Sequence, residues 1–166
     1  MSLIDTKFNL MVSEHLNRKW EVVDATNPNQ CFDVVVGWAD YLGKPRSFLH
    51  LNAYQIWTNP TQLTRDNYEL IANNPFNSPK RGDVVVWAST YNGGPGHTAV
   101  ANGVGGILSF EAFSQNDPLG SVCIIRKYNY GNVLGWLRPK VSEDNKFTVK
   151  QLTALLDEAV RERRWE

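Results

Sequence analysis

Cysteine is scarce in this chain of 166 residues: there are two, Cys31 and Cys123, beside three histidines. Two cysteines do not make the disulfide framework of a small secreted scaffold. No Cys-x-x-Cys pair and no closely spaced histidine pair occurs, so a structural zinc site has no ligand set. An excess of either charge is missing too, because 17 Lys and Arg balance 17 Asp and Glu. Without a basic footprint, nucleic acid is not the expected partner. No apolar run approaches the roughly 18 residues needed to span a bilayer. The start, Met1-Ser-Leu-Ile-Asp-Thr-Lys7, lacks the charged-then-apolar order of a secretory signal, and no membrane role is expected. What remains is ordinary for a globular domain: 42% hydrophobic residues, with six Trp, six Tyr and seven Phe. That is enough for one real core and too much for a disordered chain.

The first third reads as helical. Ser2 and Asp5 form an N-cap arrangement for a helix over residues 2–17, with Phe8, Leu10, Met11 and Leu16 at helical spacing. Asp24-Ala-Thr-Asn-Pro-Asn-Gln30 is rich in turn formers and ends at Cys31. Phe32, Val35, Trp38, Ala39 and Leu42 then give a second helical stripe. The Val34-Val35-Val36 run favours a strand locally, but length and period favour a helix that Gly43, Lys44 and Pro45 end. Residues 46–80 read as irregular, with short helices around 51–57 and 64–73. From Lys80 the pattern becomes β: Asp83–Ala88, a glycine-rich loop Tyr91–Gly96, His97–Ala101, a hairpin turn at Gly105-Gly106, then Ile107–Phe113, Val122–Tyr130 and Val133–Leu137. Helices followed by an antiparallel meander describe an α+β domain over residues 1–140. Residues 141–147 read as a linker. Thr148 and Gln151 suit a capping box for a C-terminal amphipathic helix over 148–166, with Val149, Leu152, Leu156 and Val160 on one face.

Cys31 carries the first chemical signal. It follows a loop and opens a helix, where free N–H groups and the helix dipole stabilise a thiolate. Gln30, just before it, brings a donor that could join the Cys31 backbone N–H in an oxyanion hole. The bland alternative, a small buried apolar group, suits Cys123. His97 begins a strand after Gly96, which permits close approach of another segment, and histidine is the usual base for a thiol. His15 and His50 sit in helical, apolar text and are read as structural. A base needs an orienting group. Phe113-Ser-Gln-Asn-Asp-Pro118 returns beside the His97 strand. Spacing leaves Asn116, Glu111, Ser114 and Asp117 as contenders, although Asn and Asp before Pro118 are also common turn formers. The order Cys, His, Asn is that of papain-type peptidases.

Five segments in this order carry a family resemblance: Asn29-Gln-Cys-Phe-Asp33, Gly82-Asp-Val-Val-Val-Trp87, Gly96-His-Thr-Ala-Val100, Ser114-Gln-Asn116 and Gly135-Trp-Leu-Arg-Pro139. Together they resemble a CHAP domain, the cysteine, histidine-dependent amidohydrolase/peptidase family common in phage endolysins. The likeness covers roughly residues 5–140. It implies a papain-like fold in which N-terminal helices pack on an antiparallel sheet. It also implies a peptidoglycan hydrolase, an amidase or endopeptidase, acting on Gram-positive cell walls. By resemblance Cys31 is the nucleophile, His97 the base and Asn116 the polar third residue. The acidic residue that relatives carry two positions before that Asn is here Ser114. Glu111 lies three residues further back, on the opposite face of a strand. Ser114 and Glu111 nevertheless stand as alternative orienters.

Some relatives hold calcium in an acidic loop before the Cys. Here Asp24 and Asp33 remain, but Val22, Thr26 and Pro28 replace other donors. Calcium prefers six to eight oxygens, so no cofactor is expected to be required and calcium is a secondary candidate. With no signal read at the start, the protein is expected to be made in the cytoplasm and to meet the wall after release or delivery by another factor. The rival reading is a non-catalytic wall-binding module whose Trp and Tyr side chains contact sugar. It leaves the Gln30-Cys31 pair and the setting of His97 unexplained.

Overall fold

The computed structural model describes residues 2–22, 29–48 and 50–141. The expected linker over 141–147, apart from Val141, the helix over 148–166 and Asp24 lie outside them. Helix α1, Leu3–His15, starts at Ser2, whose hydroxyl accepts the Asp5 N–H while the Asp5 carboxylate accepts the Ser2 N–H. Helix α2, Cys31–Tyr41, is helical despite its Val run. Burial decides this, since Val34, Val35, Val36, Trp38 and Ala39 are all inaccessible and tertiary packing outweighs a weak local preference. Phe8 of α1 meets Trp38 of α2 edge to face at 6.0 Å. The Trp38 indole N–H donates to the Gly82 carbonyl, 2.9 Å away, and ties α2 to the sheet.

Two short helices follow, α3 at Gln55–Thr58 and α4 at Gln62–Asn67. The helix expected over 64–73 stops at Asn67, because Tyr68–Ala72 is strand β1. Its partner is strand β6, Val133–Pro139, in register from Tyr68 opposite Pro139 to Ala72 opposite Gly135. A short local window does not reveal a partner some 65 residues downstream. The other strands are β2 Val84–Trp87, β3 His97–Gly105, β4 Phe110–Ser114 and β5 Ile124–Tyr128. All pairings are antiparallel, in the order β1-β6-β2-β3-β4-β5. The sheet is thus not a plain meander, because β6 crosses back between β1 and β2. Gly135 lets it fit there: a Cβ would lie 2.5 Å from the Ile71 carbonyl oxygen and from the Trp57 ring.

Side chains alternate across the sheet with period two. Val84, Val86, Val100, Phe113 and Leu137 face the helices. Val85, Trp87, Ala99, Ala101, Phe110, Ala112, Tyr128 and Trp136 form an aromatic-rich cluster on the other face. Burial of both faces explains why β2 reads as an unbroken apolar run. The ends of β2 and β6 are fastened by buried Asp83, which accepts two bonds from Arg138 at 3.0 and 2.8 Å.

Candidate active site

A cleft of about 1120 Å³ opens where the start of α2 meets the start of β3, and Gln30, Cys31, His50, His97, Asn116 and Asp117 line it. Two local devices aim its side chains. Before α2, the Asp33 carboxylate accepts the Gln30 N–H at 2.7 Å and the Val22 N–H at 2.8 Å. It thereby caps the helix and holds the preceding strand of chain beside it. Before β3, Gly96 has φ +71°, and a Cβ would stand 2.7 Å from the Trp87 carbonyl. Glycine therefore lets the loop return tightly enough to place His97 opposite Trp87.

Cys31 is half-buried at the head of α2. Protein packed around its thiol pushes the pKa up to about 11, while the backbone N–H groups of Thr98, Phe32 and Cys31 itself pull the other way. The thiolate-stabilising effect expected of a helix start is therefore present, but burial outweighs it. His97 is 2% exposed. Its ring sits among Trp87, Tyr91 and Tyr128, with centroids 5.1, 5.8 and 6.1 Å away. Burial lowers its pKa to about 4, with the Asp117 charge opposing the shift and Arg126 adding to it. Both shifts favour a neutral thiol and a neutral imidazole at rest on the same cleft.

The third position differs from expectation. His97 Nε2 meets Ser114 Oγ at 2.8 Å. Strand parity explains this: Phe110, Ala112 and Ser114 share the aromatic face with His97, Ala99 and Ala101, whereas Glu111 turns away and accepts a bond from Asn102. Asn116 lies past the end of β4 at φ +60°, in a bend where strand alternation no longer holds. Its amide NH₂ donates to Gln30 Oε1 at 2.9 Å, and its oxygen accepts the Gly120 N–H at 2.7 Å. Asn116 thus reaches Gln30, where contact with His97 had been expected. Gln115 between them is fully buried and bonds both the N–H and C=O of Trp20, as well as the Gln30 carbonyl.

Other neighbours of the site had not been singled out. Tyr91 and Arg126 both bind Asp117. His50, read as structural, lines the cleft, and its Nε2 is buried without a hydrogen-bond partner among the described residues. A residue in a long irregular segment gave no spacing signal for this. His15 does behave structurally, stacked on Trp20 at 3.8 Å. Cys123 is inaccessible, with its thiol donating to Gln115 and burial raising its pKa to about 12. Among the described residues no group of three or more His, Cys, Asp or Glu is placed to hold a metal. Of the two candidate calcium ligands, Asp33 already accepts a backbone N–H on each oxygen, and Asp24 lies outside the described residues. Among the described residues no helix is long and apolar enough to cross a membrane.

A family model described as CHAP domain matches residues 22–116. No curated protein sequence matches the chain. Among solved structures, the wild type endolysin LysIME-EF1 aligns with a TM-score of 0.67 at 22% identity, over 87% of this chain and 67% of that one. Ly7917 aligns with a TM-score of 0.60 at 13% identity, over 82% of this chain and 62% of that one. The structure of Ly7917 with the hydrolyzing product of MDP gives 0.58 at 13% identity, over 81% and 62%. At these identities the likeness is one of fold, and the chain spans 62–67% of the length of these three chains.

Proposed function

The chain belongs to the CHAP domain family, and from that membership we propose that it hydrolyses an amide bond of bacterial peptidoglycan with Cys31 as nucleophile and His97 as base. The observation that carries the reading is the meeting of the two residues on one cleft, with His97 Nε2 engaged by Ser114. That contact leaves Nδ1 as the nitrogen to serve the thiol. Because both groups rest neutral, the proton passes from Cys31 to His97 as sulfur attacks the carbonyl carbon. A C–S bond forms, and the carbonyl oxygen takes the negative charge. Gln30, whose oxygen accepts from Asn116, is assigned as a second donor for that oxyanion beside the Cys31 N–H. His97 then returns the proton to the leaving amine as the C–N bond breaks. Water, deprotonated by His97, cleaves the thioester and restores Cys31.

The proposed substrate is Gram-positive cell wall, met after release or delivery from the cytoplasm. The bond cut is either the lactyl–alanine amide or one in the stem peptide or cross-bridge. No cofactor enters this mechanism. The wall-binding alternative finds less support, because Trp38, Trp87 and Trp136 are fully buried in the core. Mass spectrometry of fragments released from purified walls tests the proposal. New amine and carboxyl ends at one amide, absent with Cys31→Ala, are the expected result. Fragments released equally by a folded Cys31→Ala protein would remove the nucleophile from the scheme.

A further inference from the structure

We propose that Asp117 is the positioning carboxylate of this site, working with Ser114 to hold His97 and to stabilise its protonated form, with Arg126 setting how much of that charge the ring feels. The inference rests on the reading of His97 as base. His97 Nε2 meets the Ser114 hydroxyl, and a hydroxyl can orient an imidazole but cannot balance its charge. The missing charge lies nearby: Asp117 Oδ2 is 3.7 Å from the same Nε2 that meets Ser114. Asp117 is 3% exposed, and a carboxylate that deeply set persists only when paired and bonded. Its pairing is built in. Tyr91 donates its hydroxyl to Oδ2 at 2.9 Å, and Arg126 Nη1 donates to Oδ1 at 2.6 Å. The oxygen nearer His97 is therefore the one that Arg126 does not engage.

The bend explains how two adjacent residues serve different groups. Asn116, at φ +60°, sends its amide to Gln30, and Asp117 then points to His97. Burial works against the Asp117 charge, but His97, Tyr91, Arg126 and Tyr128 together hold its pKa below the ordinary value. Among the described residues, the titratable and charged groups that contact His97 or share its cleft are Cys31 and Asp33 from α2, His50, Tyr91 from the turn before β3, Asp117 from the bend, and Arg126 and Tyr128 from β5. Of the two carboxylates, Asp33 is tied to the backbone N–H groups of Val22 and Gln30, and Asp117 is the one within 4 Å of the ring.

The test is a pH titration of the His97 ring by NMR on the full chain, run beside pH–rate profiles on purified walls. Asp117→Asn is expected to lower the His97 pKa by about one unit or more, since a charge under 4 Å away is lost. Arg126→Gln should raise it. The acid limb of kcat/KM should move in the same directions, with kcat falling at least tenfold in Asp117→Asn and KM near wild type. Asp117→Asn combined with Ser114→Asp should restore both the ring pKa and much of kcat. A ring pKa unmoved in folded Asp117→Asn and in Arg126→Gln would overturn the proposal, as would a rate loss equal at every pH. If Asp117→Asn does not fold, the sign of the Arg126→Gln shift decides. The ring titration stands whether or not the chain cuts walls, so failure of the hydrolase reading and failure of this inference are separately visible.

Discussion

Replacing Asn116 by Ala separates two accounts of the site. In the account first suggested by residue order, Asn116 orients His97. In the structure its NH₂ is spent on Gln30 Oε1 at 2.9 Å and its oxygen on Gly120 N–H at 2.7 Å. Asn116→Ala should therefore act through the oxyanion donor. One neutral hydrogen bond is worth about 1 kcal/mol net, roughly a factor of five in rate. Outright loss of an oxyanion donor costs about 10²–10³ in kcat. A Gln30 that keeps its NH₂ but loses the Asn116 bond falls between, so kcat should drop roughly 5- to 100-fold with little change in KM. Loss of the Gly120 bond should also cost about 1 kcal/mol of stability. The assay is turbidity clearing of purified walls over a substrate series, with Gln30→Ala and the double variant alongside. If Asn116 works through Gln30, the double variant should be little worse than Gln30→Ala alone. Multiplicative losses, or coupling to Ser114 in place of Gln30, would refute the reasoning and return Asn116 to His97.

Cys31→Ala should abolish wall clearing with the fold intact, whereas Cys123→Ala should keep activity and lose about 1–3 kcal/mol of stability, as its buried thiol leaves Gln115 and a small void; activity and thermal melts check both. Glu111→Ala should clear walls within about threefold of wild type, since its carboxylate faces Asn102 on the far side of β4, and a crippled variant would contradict that register. Chelation by EDTA should lower activity only weakly, and complete loss restored by calcium would mean that the segment around Asp24 and Asp33 completes a metal site. Stability should fall between pH 6.5 and 4. The folded pKa of His97 lies below its ordinary 6.5, at about 4, so the unfolded chain takes up the proton first as pH drops through that window. The contribution is fully present above pH 6.5 and amounts to about 3 kcal/mol at most. His15 and His50 shift the same way. Melts of wild type and His97→Gln from pH 8 to 4 should converge if the sign is right.

Those parts of the fold governed by short-range rules were legible in the residues. Ser2 and Asp5 announced the start of α1, and the stripe through Val35, Trp38 and Ala39 announced α2 against its β-prone composition. The Gly105-Gly106 turn was read correctly, although β4 starts at Phe110 and leaves Ile107 and Leu108 exposed in the hairpin. The unread parts depended on distant partners. Tyr68–Ala72 carries a mixed pattern that satisfies a helix or a strand, and only pairing with β6 decides it. The crossing of β6 between β1 and β2 likewise turns on Gly135 meeting Trp57 and Ile71.

The candidate site divides along the same line. Cys31 and His97 open regular elements, so element boundaries alone pointed to them, and parity correctly turned Glu111 away from His97. Parity failed two residues beyond the strand. At Asn116 the backbone enters the left-handed region, and from there an alternation rule no longer says which way a side chain points. Asn116 and Asp117 look from the sequence like turn formers ahead of Pro118, and they are turn formers. The bend they make is also what carries an amide to Gln30 and a carboxylate to within 3.7 Å of His97. Tyr91 and Arg126, separated by 35 positions in the chain, meet only because Asp117 stands between the loop before β3 and strand β5. The setting of His97 is therefore not legible from Ser114 alone, because the bend that follows brings a carboxylate toward the same ring nitrogen that the hydroxyl meets.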